Sequence, residues 1–99
     1  MEITLLYFDD CPNWKVADQH LAELAAENPE LVISRHLVDT IAEAERVGFR
    51  GSPSILIDGV DVFADPDDPV GLSCRVYQTT DGPAGSPTLA DLRKVIASR

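Results

Sequence analysis

The chain has 99 residues, room for one domain over residues 1–99 and not for two separate cores. It is 44% hydrophobic and 25% charged, a globular rather than a disordered composition. Eight basic against seventeen acidic side chains give a net charge of −9, which argues against nucleic acid or anionic lipid as partners. No apolar run approaches the roughly 20 residues of a membrane span.

The first residues, Met1-Glu2-Ile3-Thr4-Leu5, carry no basic stretch and no long apolar segment. No export signal is visible there, and the expected compartment is the cytoplasm. Ile3 to Phe8 is a short apolar run closed by Asp9-Asp10, and it reads as a strand buried on both faces. Cys11-Pro12 opens a helical pattern, with proline expected at the first helical position. Trp14, Ala17, Leu21 and Leu24 then recur at helical spacing until Asn28-Pro29 stops the pattern. Leu31 to Val38 is a second strand. Asp39-Thr40 can cap a short helix carrying Ile41, Ala44 and Val47, with Gly48 at its end. Ser54 to Ile57 and Val60 to Phe63 read as a hairpin about the Asp58-Gly59 turn. Thr88 and Asp91 have capping-box spacing before a last helix with Leu89, Leu92 and Ile96, and Ser86-Pro87 offers an alternative start.

Residues 64–87 depart from this regularity. The 24 residues hold four of the seven prolines and three of the six glycines. Loops beyond about 12–15 residues are rare in compact domains, so the insert is functional, mobile or structured in its own right. Within it Val70, Leu72, Cys74 and Val76 alternate, as in a short extended piece packed on one side. The resulting order, β-α-β-α-β-β-α, predicts an α/β fold with a four-stranded mixed sheet flanked by helices.

Chemistry is expected first at Cys11. A thiol at a helix start faces free backbone N–H groups and the positive end of the helix dipole, and both favour the nucleophilic thiolate. Asp9 and Asp10 act in the opposite sense. A half-buried structural cysteine is the alternative.

The stretch Asp9-Asp10-Cys11-Pro12-Asn13-Trp14 after a central strand resembles the active-site entry of the thioredoxin-like superfamily in its minimal, glutaredoxin-like form. Gly51-Ser52-Pro53-Ser54 is similar to that superfamily's cis-proline loop. The resemblance covers Met1 to Phe63 and the last helix. It implies a thioredoxin-like fold, thiol–disulfide exchange at Cys11, a cis peptide before Pro53, and a Ser52 backbone offered to an extended substrate. Where the superfamily carries a second cysteine this chain has Trp14, a monothiol departure, so release of a mixed disulfide needs an outside thiol or Cys74. Trp14 is equally compatible with core packing and with lining a substrate surface beside Pro12 and Ser52.

In this topology the insert leaves from the same sheet edge as Cys11. Cys74 can then reach Cys11 as a resolving thiol, provided the Cα atoms come within about 7 Å. Its alternation with Leu72 and Val76 instead favours, slightly, a small buried hydrophobe. His20 and His36 have no metal-ligand spacing to either cysteine and read as structural. Asp65, Asp67 and Asp68 lack the glycine and terminal glutamate of a calcium loop and read as a solvated loop. No cofactor is expected. The leading expectation is an oxidoreductase acting with a disulfide-containing protein or a low-molecular-weight thiol. A binding module without redox turnover, and a soft-metal or organomercurial site built from both thiols, are the alternatives.

Overall fold

The computed structural model describes residues 1–64 and 67–98. Strand β1 (Glu2–Tyr7) lies inside a four-stranded sheet, between the parallel β2 (Val32–Leu37) and the antiparallel β4 (Ser54–Ile57). Its apolar run follows from that position. Ile3 and Leu5 share one face with Ile55 and Ile57, under helices α1 (Trp14–Glu27) and α3 (Leu89–Ala97). Leu6 points to the other face, where Val38, Ala44 and Phe49 pack around α2 (Ile41–Val47). The chain is therefore a mixed α/β fold with helices on both faces of a mixed sheet, as the sequence order predicts.

Local signals set most boundaries. The Thr40 hydroxyl accepts the Glu43 N–H at 3.1 Å, and Gly48 closes α2 in the left-handed region at φ 69°. Thr88 and Asp91 form a reciprocal capping box, so α3 begins at Leu89 and not at Ser86-Pro87. Asp58 and Gly59, both at positive φ, turn the chain into β5 (Val60–Asp61). That strand is shorter than the expected Val60 to Phe63. The Asp61 carboxylate accepts the Phe63 N–H at 3.1 Å and bends the chain away from the sheet.

The start of α1 also differs from expectation. Cys11 N–H donates to the Phe8 carbonyl at 3.0 Å, and Lys15 N–H donates to the Pro12 carbonyl at 3.1 Å. Two tight turns thus precede the helix, which begins at Trp14; Pro12 lies in the second turn rather than at the first helical position.

The insert holds its own structure. Strand β3 (Arg50–Ser52) runs parallel to β6 (Gly71–Cys74), and β7 (Tyr77–Thr79) pairs with β8 (Gly82–Ala84) in a small hairpin. The phase of the expected alternation is corrected here. Val70, Cys74 and Val76 are exposed, while Arg75 and Tyr77 point inward and only Leu72 packs against the core. Cys74 is not a buried hydrophobe. Of the acidic cluster, Asp67 is exposed and Asp68 half-buried, while Asp65 lies outside the described residues. No helix among the described residues is long and apolar enough to cross a membrane.

Candidate functional site: a disulfide beside a cis proline

Cys11 and Cys74 are joined by a disulfide, with Cα atoms 5.7 Å apart and a sequence separation of 63. That Cα distance lies within the usual span of such bridges. The partners come from different layers of the molecule. Cys11 is held between the Phe8 turn and the first turn of α1, while Cys74 ends the insert strand β6. They are unequal in exposure: Cys11 is 3% exposed and Cys74 is on the surface. Asp9 and Asp10 are exposed as well, so water weakens their field at the buried Cys11.

The Ser52–Pro53 peptide is cis, and both residues are fully buried. The Ser52 hydroxyl accepts the Phe8 N–H at 2.9 Å and approaches the Phe8 carbonyl at 3.4 Å. One side chain thus ties the proline loop to the end of β1, three residues before Cys11. The Ser52 carbonyl accepts the Arg75 N–H at 3.0 Å, and Ser52 is the register partner of Cys74. The backbone that the resemblance offers to an extended substrate is therefore taken by the chain's own insert.

Gly51 makes this approach possible. Its φ is +105°, and a β-carbon there would lie 3.0 Å from the Arg75 β-carbon. Beyond it, the Arg75 guanidinium grips both oxygens of Asp61, at 2.6 and 3.3 Å, and stacks 4.6 Å above the Tyr77 ring. Arg75 and Asp61 side chains are 7% and 9% exposed, so this is a buried ion pair. Tyr77 packs edge-on against Phe63, with ring centroids 5.5 Å apart. Asp61, Arg75 and Tyr77 were not legible as site-supporting residues in the sequence. The available signal was the opposite phase of the alternation around Cys74, with one arginine and one aromatic in it.

The remaining expected residues lie nearby. Pro12 is exposed next to Cys11. Trp14 stacks on Tyr7 at 4.3 Å and packs against the main core, and its indole N–H is buried without an acceptor among the described residues. Asn13, between them, lies against Gly85 so closely that a β-carbon on Gly85 would overlap its side chain. His36 pairs with Glu43 at 2.9 Å, far in role from the cysteines. Among the described residues no cluster of three or more His, Cys, Asp or Glu side chains is placed to hold a metal ion.

A cleft of about 430 Å³ opens beside the bridge, bordered by Cys74, Ser73, Arg75 and Val76; Cys11 does not border it. Of the two bridged residues it is the exposed one, Cys74, that borders this cleft. Comparisons with models of protein families, with curated proteins and with solved structures return no match.

Proposed function

We propose that the chain is a thiol–disulfide oxidoreductase of thioredoxin-like fold, in which Cys11 and Cys74 cycle between dithiol and disulfide. The observation that carries this reading is the Cys11–Cys74 bridge itself, formed in front of α1 and alongside the cis Ser52–Pro53 peptide. The element order of the main sheet supports the fold. In one direction two thiols reduce the bridge and leave as their own disulfide. In the other, the dithiol reduces a disulfide-containing protein or small disulfide and closes the bridge again. Cys74 takes the part that a second cysteine at position 14 would have played. We place the chain in the cytoplasm, where protein disulfides are transient and catalytic rather than permanent.

The test has two parts. Intact-mass measurement under oxidising and reducing conditions is expected to show a gain of two hydrogens on reduction. A low-molecular-weight thiol and a small disulfide substrate are expected to exchange faster with the protein present, and Cys11→Ser and Cys74→Ser each to abolish that acceleration. Exchange at the uncatalysed rate with the wild-type protein overturns the reading.

A second reading follows from the same convergence of sulfurs. The reduced pair would clamp a soft, thiophilic ion such as mercuric ion, or an organomercurial, between two thiolates. One ion bound per chain with loss of both free thiols supports it; independent reaction of each thiol overturns it.

A further inference from the structure

We infer that the bridge is opened from the Cys74 side: an incoming small thiol bonds to Cys74, and Cys11 is the leaving thiolate. This inference rests on the dithiol–disulfide reading above and assigns the two sulfurs opposite parts. It also reverses the expectation that Cys11 is the sulfur that meets the substrate.

Three observations carry it. Cys11 is 3% exposed, under the Phe8 turn and the insert, whereas Cys74 is on the surface. Displacement at a disulfide needs the attacking thiolate in line with the S–S bond, behind the sulfur it bonds to, so access decides which sulfur is attacked. The cleft of about 430 Å³ borders Cys74 and not Cys11, and its volume falls in the range of small-molecule sites. Finally, the Ser52 backbone is already paired with β6, so no extended polypeptide can add there to aim a cysteine at Cys11. These features together select a low-molecular-weight thiol entering past Ser73 and Val76.

The chemistry balances without another reagent. A thiolate RS⁻ attacks the Cys74 sulfur, the S–S bond breaks, and its electron pair leaves on Cys11. The products are a Cys74–S–SR mixed disulfide and a Cys11 thiolate. Cys11 leaves from the chain just before the first turn of α1, where the positive end of the helix dipole favours negative charge. A second RS⁻ attacks the RS sulfur of the mixed disulfide, forming RSSR and releasing Cys74 as thiolate. The two protons lost by the thiols end on Cys11 and Cys74. Two thiols are oxidised and one protein disulfide is reduced.

The experiment uses the oxidised wild-type protein and glutathione. The reaction is stopped with acid early in reduction, free thiols are alkylated, and the peptides carrying Cys11 and Cys74 are analysed by mass. Glutathione is expected on Cys74 and the alkyl group on Cys11, in a ratio of about ten to one or more, as expected when access decides the sulfur attacked. A majority of adduct on Cys11, equal distribution, or no adduct on either residue overturns the assignment. Independently, Cys74 in Cys11→Ser is expected to alkylate at least about tenfold faster than Cys11 in Cys74→Ser, from the same difference in access. Equal or inverted rates overturn it as well. Adduct on Cys74 without any acceleration of exchange would leave this assignment standing and remove the oxidoreductase reading instead.

Discussion

The Tyr77 hydroxyl donates a hydrogen bond to the Pro53 carbonyl at 2.5 Å, joining the insert to the cis-proline loop inside the molecule. Tyr77 is 5% exposed, so neither partner has water as an alternative. Tyr77→Phe leaves that carbonyl unsatisfied and is expected to cost about 1–3 kcal/mol, read from the urea midpoint. Burial also pushes the Tyr77 phenol well above its ordinary value of 10.0. Above about pH 10 the unfolded chain therefore releases a proton that the native chain retains, and stability falls as pH rises. Tyr77→Phe is expected to remove that part of the alkaline loss. An equal loss in both proteins between about pH 8 and pH 11 would contradict the assignment.

The Arg75–Asp61 pair fixes the strand that carries Cys74. Removing one partner leaves the other charge buried and alone, so Arg75→Leu and Asp61→Leu are each expected to destabilise by about 3–5 kcal/mol. The double variant is expected to lose less than the sum, because it removes both charges. A double-mutant cycle by chemical denaturation measures this, and strict additivity would show that the pair is not coupled.

Reduction of Cys11–Cys74 frees a long loop in the unfolded chain. For a separation of 63 residues the chain-entropy relation gives a loss of about 4 kcal/mol on reduction. Reduced wild type and the double Cys11→Ser, Cys74→Ser variant are expected to share one denaturation midpoint, below that of the oxidised protein. The buried contacts of Arg75 and Tyr77 do not involve the sulfurs, so the insert is expected to stay docked. Amide hydrogen exchange at residues 75–79 checks that: full loss of protection on reduction would show that the bridge alone holds it.

Glu43 gives an acid-side prediction away from the cysteines. Its hydrogen bonds with Arg46, and then with His36, lower its pKa from 4.5 to about 2. The contribution of this carboxylate is present above its unfolded value of 4.5 and is lost as pH falls toward about 2. Because Glu43 is only half-buried and its partner Arg46 is exposed, overall stability is expected to move little. NMR titration of the Glu43 carboxyl is expected to give a midpoint near 2, rising toward 4.5 more in Arg46→Ala than in His36→Ala. A midpoint unchanged by Arg46→Ala would assign the shift elsewhere.

Elements governed by neighbours in sequence were the legible ones. The run Ile3 to Phe8, the stripe Trp14, Ala17, Leu21 and Leu24, the Thr40 and Thr88 caps and the Asp58-Gly59 turn each carry a local physical signal. Strand β3 carries none, because Arg50–Ser52 contains a positive-φ glycine and precedes a proline, and its partner β6 begins nineteen residues after Ser52. The direction of the strands allowed Cys74 to reach Cys11, although its alternation with Leu72 and Val76 slightly favoured a buried hydrophobe. Its packing was not legible, because the phase of the alternation is decided by Asp61, the distant carboxylate that draws Arg75 inward.

The segment from Cys11 to Trp14 is bounded on both sides by the insert, by the sulfur of Cys74 at one end and by Gly85 against Asn13 at the other. Pro12 and Asn13 are exposed, so the insert holds this surface segment at two points and leaves its outer side open. The spacing between these two contacts is therefore matched to the insert as well as to the helix: an added residue between Cys11 and Asn13 changes the span from the bridge to Gly85.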